Sequence, residues 1–344
     1  MTLRLRGETV VGAEQPGLGY CRRGIIELVE GKTPDEALPI LERTCSLAHE
    51  AYRMAFCQAL EAVAQARISQ PARTTRVVFA EVERLLARLW TLAQAARVAN
   101  VAPLYRLALD QRESLFAALE DATGERHYWA VAVPGGVRDD LELQPLQEAL
   151  TALEAGVAVW QTSVAPNGLL GRAGKGIGAI SADQTRDLDL TGLAARGSRM
   201  TDDLRLSQPY AAYEDYEEQL AQGGEGQRTG DVASRLARAV ADLATSRAVA
   251  LAALANLPDG AHEPPVTLAK PEADRVTAGA VEGPHGLMTA RFFWTSENTI
   301  HELKLYTPGM GQIVAMPELL EGRLLPQIPL ILASLDLCIE CLDQ

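Results

Sequence analysis

The chain ends in a pair of cysteines whose spacing suits metal binding or redox chemistry. Cys338 and Cys341 form a C-x-x-C motif within the final stretch SLDLCIECLDQ. Two thiolates at this spacing can hold part of the coordination shell of a metal ion or close a small disulfide. The plain alternative is two packed thiols at the end of the chain, or an adventitious zinc pair. The motif therefore predicts a site only if residues elsewhere supply further ligands.

A second stretch with candidate ligands lies near the start, in LERTCSLAHEAYRMAFCQALE at 41–61. On a helix, Cys45, Ala48, His49 and Tyr52 would share one face, because they lie three, four and seven residues apart. A single cysteine on an apolar helix face is usually a small core residue. His49 is a candidate fourth donor beside three cysteines, although a single histidine in this setting is more often hydrogen-bonded in the core.

Composition limits the class of protein. The 344 residues are 47% hydrophobic, which is enough for a substantial core, and the net charge of −13 without a dense Lys/Arg run argues against nucleic acid as a partner. The start lacks an apolar signal core, and no stretch approaches about 18 apolar residues, so we expect a cytoplasmic protein. Five cysteines, an odd number, indicate free thiols in a reducing compartment. Cys21 and Cys57 are interpreted as packing residues.

The pattern along the chain predicts a mainly α fold with small β elements (α+β). Residues 1–12 alternate like a strand, and 287–308 resembles a hairpin. Thr33 to Glu36 has the form of a capping box. We expect one domain spanning 1–344, a helical bundle core with an N-terminal sheet and a C-terminal hairpin, and flexible loops at 217–231 and 257–275. The predicted helices cover 39–68, 73–98, 101–121, 141–162 and 229–256.

Several segments in a fixed order resemble one protein family. They are GLGYCRRGIIELVEGKTPDEALPILER at 17–43, VPGGVRDDL at 133–141, GKGIGAIS at 174–181, GLAARGSRMTDDLRLSQPYAAY at 192–213, VEGPHG at 281–286 and the stretch from 307 to 343. Together they resemble the large subunit of nickel–iron hydrogenases, in particular the membrane-bound, energy-converting group 4 and its relative, the 49-kilodalton (D-type) component of respiratory complex I. The resemblance implies a hydrogenase large-subunit-like fold.

Departures from the family pattern affect the metal site. In those hydrogenases, Arg-x-Cys-Gly-x-Cys and Asp-Pro-Cys-x-x-Cys motifs hold the metals, so the resemblance implies Cys45, Cys338 and Cys341 as metal ligands here. Ala48 stands where the fourth cysteine belongs, and it offers no lone pair to a metal. An intact nickel–iron centre is therefore not expected. Nickel–iron or another metal on the residual cysteines stays open.

Other departures affect the cavity. Complex I members shape the quinone pocket with a histidine and a tyrosine, whose positions correspond to Arg22 and Ser46 in this chain. Tyr52 stands where hydrogenases have a histidine, and His285 replaces an arginine near the iron. Candidate residues lining the cavity are therefore Arg22, Ser46, His49, Tyr52 and His285, and the resemblance implies no cofactor-binding residue besides the metal ligands.

The resemblance implies a large-subunit homologue in a membrane-associated oxidoreductase. It would exchange electrons with a small iron–sulfur subunit, similar to the B-type component of complex I, which carries a [4Fe-4S] cluster. Other peripheral-arm subunits and a membrane-embedded ion-translocating module would hold it on the inner face of the cell membrane. The alternatives are a non-catalytic structural or coupling subunit, with zinc on the remaining cysteines, and an active nickel–iron hydrogenase with altered ligands. Because the sequence stops three residues after Cys341, we expect no tail for a maturation protease.

Overall fold

The computed structural model describes residues 1–221, 229–257 and 263–344. It is 55% helical with 12% strand in small sheets, which confirms the predicted mainly α fold with small β elements. The helices are α1 (Ile25–Val29), α2 (Pro34–Leu41), α3 (His49–Ala64), α4 (Gln70–Val98), α5 (Ala102–Thr123), α6 (Gln144–Ala152), α7 (Glu154–Val164), α8 (Leu169–Gly174), α9 (Ala182–Asp187), α10 (Gly192–Arg196), α11 (Leu204–Ser207), α12 (Glu217–Ala221), α13 (Val232–Ala255), α14 (Gly309–Leu320), α15 (Ile328–Ser334) and α16 (Ile339–Leu342). The strands are β1 (Leu3–Arg6), β2 (Thr9–Ala13), β3 (Ala132–Val133), β4 (Gly136–Val137), β5 (Arg275–Gly283), β6 (Gly286–Trp294) and β7 (Ile300–Tyr306).

The long helices α4 and α13 pack against each other at the centre of the bundle, with α5, α6, α7 and α8 around them. Local sequence sets where they begin. The side chain of Ser69 accepts a hydrogen bond from the Ala72 N–H at the start of α4, and Asp231 does the same for Ser234 at the start of α13. The predicted helices at 73–98, 101–121 and 229–256 are confirmed, whereas 141–162 is two helices, α6 and α7.

A three-stranded antiparallel sheet packs against α3. Its order is β5–β6–β7, and Phe56 of α3 stacks on Phe292 of β6 with ring centroids 4.4 Å apart. The predicted hairpin at 287–308 is confirmed as β6 and β7, but β5 was not predicted as a strand. The core between α3 and this sheet is separate from that of the helical bundle, and it contains Cys45 and Cys341.

The N-terminal residues form a hairpin rather than one strand. The chain turns at Gly7, which has a φ of 62°, so that β1 and β2 pair antiparallel. The backbone N–H of Val10 donates to the carbonyl of Arg323 at 2.9 Å. This bond joins the start of the chain to the segment that leads toward its C-terminus.

The predicted continuous helix from 39 to 68 is wrong. α2 ends at Leu41, a 3-10 turn follows at Glu42–Thr44, and Cys45 is extended with φ −145° and ψ 133°. Cys45 therefore shares no helix face with His49, where α3 begins. The capping box from Thr33 to Glu36 is present as predicted.

A carboxylate from another helix stabilises the start of α3, where no side chain of its own provides a cap. The side chain of Glu83 on α4 accepts hydrogen bonds from the backbone N–H groups of Glu50 and Ala51, at 2.7 and 3.1 Å. These N–H groups have no partner within the helix. Because Glu83 is 33 residues away from Glu50, no local pattern indicates this helix start.

The two predicted flexible loops lie partly outside the described residues. The first, 217–231, begins with α12, so its first five residues are helical, and 222–228 are not described. In the second, 258–262 are not described, and 263–274 form no helix or strand before β5 begins at Arg275. Across the described ranges, no helix is long and apolar enough to cross a membrane.

Candidate metal centre

Three cysteines and one histidine from distant parts of the chain form a compact cluster. One potential ligand atom from each of Cys45, His285, Cys338 and Cys341 lies within 4.8 Å of the others. The Sγ atoms of Cys45 and Cys338 are 3.4 Å apart. Thiol sulfur and imidazole nitrogen are the usual ligands of zinc and other borderline-soft metals. The structure thus brings together a four-donor set that can hold one metal ion.

The segment around Cys45 is held by backbone contacts. The guanidinium of Arg23 donates to the carbonyls of Arg43 and Thr44, at 2.7 and 2.5 Å. The N–H of Leu47 donates to the Cys45 sulfur at 3.3 Å. An N–H group two residues after the cysteine therefore already points at the sulfur, which orients that atom within the cluster.

The C-terminal C-x-x-C motif spans the start of α16. Cys338 precedes this short helix, and Cys341 lies within it, buried. Beyond them, Asp343 accepts hydrogen bonds from the backbone N–H groups of Gly19 and Cys21, at 2.6 and 2.7 Å. The end of the chain is thereby tied to the loop that precedes α1.

His285 lies in the tight turn between β5 and β6, and two arginines of α4 hold this turn. Arg84 donates to the carbonyl of Gly283 at 2.8 Å, and Arg88 donates to the carbonyl of Pro284. The Nδ1 atom of His285 is 3.0 Å from Asp336, just before the C-terminal motif. The backbone of the turn and the Nδ1 side of the imidazole are therefore both held in place.

The electrostatics of the cluster favour negative charge on Cys338. Hydrogen bonds from Cys341 and Cys45, together with the nearby His285, hold the pKa of the Cys338 thiol well below its usual value. Burial raises the pKa values of Cys45 and Cys341. Burial alone would lower the pKa of His285, but the Asp336 carboxylate outweighs it and raises that pKa to about 10. The Cys338 thiol therefore loses its proton more readily than the thiols of Cys45 and Cys341.

The other predicted cavity residues on α3 lie beside the cluster. His49 is buried between the rings of Tyr128 and Trp129, with centroid distances of 4.4 and 4.7 Å, and it is not one of the four donors. Burial lowers the pKa of His49 to about 3, so the ring is neutral. Tyr52 is buried, and the pKa of its hydroxyl is raised by burial and by the nearby Cys341. Tyr52 therefore borders the cluster as a neutral phenol.

Ser46 lines a groove that reaches the cluster. The groove has a volume of about 400 Å³, and its walls include Ser46, Leu47 and residues 337–340, Cys338 among them. The backbone N–H and the hydroxyl of Ser46 both donate to Glu340, each at 2.9 Å. Arg22 is exposed, pairs with Glu27 and does not line this groove. Of the four donors, Cys338 is partly exposed, so the cluster meets the surface there.

The remaining cysteines lie outside the cluster. Cys57 is buried, with its thiol 3.9 Å from the carbonyl of Ala132, as expected for a packing residue. Cys21 is exposed, so its interpretation as a packing residue is wrong. Ala48, at the position of the missing thiolate, is fully buried in the same core as Cys45 and Cys341.

His285 was predicted from the sequence as a cavity residue but not as a partner of the three cysteines, and Asp336, Arg88 and Glu83 were not predicted. No local spacing links His285 to Cys45, which is 240 residues earlier in the chain. The one feature of the sequence that could have indicated a further ligand is His285 itself, because this histidine stands where the resemblance implies an arginine.

Comparison with known proteins identifies the family. Residues 101–276 match the model of the respiratory-chain NADH dehydrogenase 49 kDa subunit. The chain is 26% identical over 373 residues to the D subunit of NADH-quinone oxidoreductase from Pelagibacter ubique, covering 100% of this chain and 94% of that protein. It is 26% identical over 350 residues to the carbon monoxide-induced hydrogenase of Rhodospirillum rubrum, covering 99% and 93%.

A third relative is a longer protein. The C/D subunit of NADH-quinone oxidoreductase from Shewanella woodyi is 25% identical over 372 residues, with 100% of this chain and 61% of that protein covered. The chain thus spans about three fifths of this relative. Because the family model matches more than half of the chain, the chain belongs to the family of the 49 kDa subunit of respiratory-chain NADH dehydrogenase.

Proposed function

We propose that this chain is the large subunit of a membrane-associated oxidoreductase built like complex I or the energy-converting hydrogenases. Its relatives are named as subunits of NADH-quinone oxidoreductase and as a hydrogenase, and the matches run over essentially the whole chain. The partners would be an iron–sulfur subunit similar to the B-type component of complex I, other peripheral-arm subunits and a membrane-embedded ion-translocating module. Through them the chain would sit on the cytoplasmic face of the membrane.

One structural observation supports this role most directly. The groove formed by Ser46, Leu47 and residues 337–340 opens at the surface beside Cys338, while the other three donors of the cluster are buried. A partner that places a [4Fe-4S] cluster over this groove would enclose a cavity in which a substrate meets that cluster. The large subunit would then shape the cavity, and the iron–sulfur subunit would supply the electrons.

The donor set does not fit the nickel–iron centre that the hydrogenase resemblance implies. That centre needs four thiolates, and this chain offers three, because Ala48 supplies no donor atom. We therefore derive no hydrogen-splitting step for this protein. The name of the Rhodospirillum rubrum relative describes that protein's activity, and the residues of this chain do not support the same chemistry.

A second candidate function is a structural or coupling subunit without catalysis of its own. The observation that favours it is the donor set, because three cysteines and a histidine match a complete four-ligand set of structural zinc sites. The two candidates differ in what the loss of one cysteine would do to the assembled complex.

The test is purification of the tagged full-length chain from its native membranes without oxygen. We expect an iron–sulfur subunit and membrane subunits to co-purify, with iron, acid-labile sulfide and an electron paramagnetic resonance signal from a [4Fe-4S] cluster. Recovery of the chain as a stable, monodisperse monomer without such a partner would contradict the proposal.

Cys338→Ser then separates the two candidates. If the large subunit shapes a catalytic cavity, the complex that does assemble should lose electron transfer from dithionite-reduced clusters to a short-chain quinone, whether or not its amount also falls. If the subunit is structural, the amount of complex should fall while electron transfer per assembled complex is unchanged. Cys57→Ser serves as the control, since Cys57 is buried outside the cluster.

A further inference from the structure

The cluster pairs three cysteines with a histidine that the family pattern does not place among the ligands. We propose that it is a structural zinc site of the Cys₃His type, in which the Nε2 atom of His285 takes the place of the missing fourth thiolate. The geometry of the cluster supports this site without reference to any partner or substrate. An experiment can therefore contradict zinc binding without contradicting the oxidoreductase role proposed above, and the reverse also holds.

The orientation of His285 supports metal ligation through Nε2. Its Nδ1 atom is 3.0 Å from a carboxylate oxygen of Asp336, while Nε2 is buried and has no hydrogen-bond partner. A buried polar atom without a partner is costly. A metal ion among the three thiols would satisfy it, and histidines that bind metal commonly donate their other ring N–H to a carboxylate.

Asp336 is itself held in place by two groups of α4. One of its oxygens is 2.7 Å from Arg88, and the other accepts a hydrogen bond from the Thr91 hydroxyl at 2.6 Å. These contacts fix the carboxylate, which in turn fixes the tautomer and direction of the imidazole. Asp336 is thus a positioning residue for the proposed metal ligand.

The chemistry of the donors favours zinc over nickel. Structural zinc sites are four-coordinate and tetrahedral, and Cys₃His is one of their usual donor sets. Such a site would join residues 45, 285, 338 and 341, which are separated by up to 296 positions of sequence. Binding energy at such a site adds directly to the stability of the fold, because the unfolded chain has no preformed site. Zinc would therefore fasten the C-terminus to the segment before α3.

The first experiment is metal analysis of the full chain, purified anaerobically with whichever subunits accompany it. We expect about one zinc and no nickel at this site per chain, and X-ray absorption at the zinc edge should show three sulfur atoms at about 2.3 Å and one nitrogen at about 2.0–2.1 Å. Absence of zinc, stoichiometric nickel, or a zinc shell without nitrogen would overturn the proposal. Iron in the partner subunit would not affect this result.

Variants of His285 test whether this residue is a zinc ligand. His285→Ala should lose zinc, whereas His285→Cys should retain it and change the shell from three sulfurs and one nitrogen to four sulfurs. A merely structural role for His285 would not produce that change. His49→Gln and Cys57→Ser are matched controls at a neighbouring buried histidine and a buried cysteine outside the cluster, and both should keep one zinc with an unchanged shell. Zinc loss in His49→Gln with retention in His285→Ala would overturn the assignment.

Asp336→Asn tests the positioning role. We expect about a 10–100-fold loss of zinc affinity with the same three-sulfur, one-nitrogen shell. If these variants fail to fold, Co²⁺ exchanged into the wild-type chain provides a second measurement. Tetrahedral Co²⁺ bands with sulfur-to-metal charge transfer would support the site, and the spectrum of six-coordinate Co²⁺ without charge transfer would overturn it.

Discussion

Burial raises the pKa values of two glutamates near the start of α3, Glu50 and Glu83. Burial raises the pKa of Glu50 to about 7, although Arg53 and Arg76 oppose this and Glu42 adds to it. Glu83, which caps the start of α3, has a pKa raised to about 8 by burial and by Glu50. At neutral pH the folded protein therefore holds a partly protonated pair of carboxyl groups in its core.

Glu50→Gln should make the stability of the protein less dependent on pH. Between pH 4.5 and 7, the wild-type carboxyl ionises in the unfolded chain but keeps its proton in the fold, so stability falls as pH rises through this window. Above pH 7 the accumulated cost is about 3 kcal/mol. We expect the variant to have a flatter profile and a higher free energy of unfolding at pH 8, measured by urea denaturation from pH 5 to 8.

The substitution suits the local geometry. One carboxylate oxygen of Glu50 accepts the N–H of Ala132 at 3.0 Å, and the other has no hydrogen-bond partner. A glutamine can keep the first bond through its carbonyl oxygen. Glu120→Gln, at an exposed position of α5, is the control and should leave the profile unchanged. An equally steep profile in Glu50→Gln would show that Glu50 is ionised in the fold.

At the scale of elements, the β5–β6 turn is what brings His285 to the cysteines. The turn consists of Gly283, Pro284, His285 and Gly286, and Gly286 has a φ of 129°. A Cβ atom at Gly286 would lie 2.4 Å from the Thr191 hydroxyl oxygen and 2.7 Å from the Gly192 nitrogen. Both the backbone conformation and the close approach therefore require glycine.

Gly286→Ala should destabilise the protein by about 2–4 kcal/mol, because strain and overpacking act together. The measurement is chemical denaturation of the variant beside Gly7→Ala. Gly7 also has a positive φ, of 62°, but a Cβ atom there would meet nothing within 4 Å. The control should cost only about 1–2 kcal/mol. Equal losses in both variants would mean that the contact with residues 191–192 contributes nothing.

At the scale of the whole molecule, exposed apolar side chains on two joined segments, one of which lines the groove, mark a surface where the proposed partner would dock. Tyr20 is 90% exposed and Leu18 42% exposed, in the loop that Asp343 holds, and Ile339 of α16 is 40% exposed. These side chains lie on the loop before α1 and on α16, two segments that are joined by the hydrogen bonds of Asp343. A group of exposed apolar side chains is typical of a protein interface.

Tyr20→Glu should weaken retention of the proposed iron–sulfur subunit if that subunit covers this surface. We expect at least a several-fold fall in co-purified iron per chain, because a charge would be buried without a partner in the interface. Val159→Glu, at an exposed apolar position of α7, is the matched control and should leave the ratio unchanged. The same ratio in both variants would place the docking surface elsewhere.

Local patterns in the sequence determined much of the architecture. The helical spacing at 73–98 and 229–256 and the Thr33–Glu36 capping box depend on contacts within a few residues, which is why α4, α13 and the start of α2 were predictable. The prediction of one continuous helix from 39 to 68 was wrong because the start of α3 is capped from a different helix. The acceptor for the N–H groups there is Glu83 of α4. Hydrogen bonds between distant segments leave no periodic trace in the sequence.

The sequence by itself determined the fold class, the family and three of the four residues that form the cluster, because these depend on motifs and their order along the chain. Only the tertiary structure showed that His285, rather than His49, lies beside the three cysteines as the fourth donor of the proposed zinc site. Sequence proximity favoured His49, but α3 begins at that residue and buries its ring between Tyr128 and Trp129. The β5–β6 turn, held by the arginines of α4, carries His285 across 240 residues to Cys45. Coordination is a matter of distance in space, which packing between elements sets and local spacing does not encode.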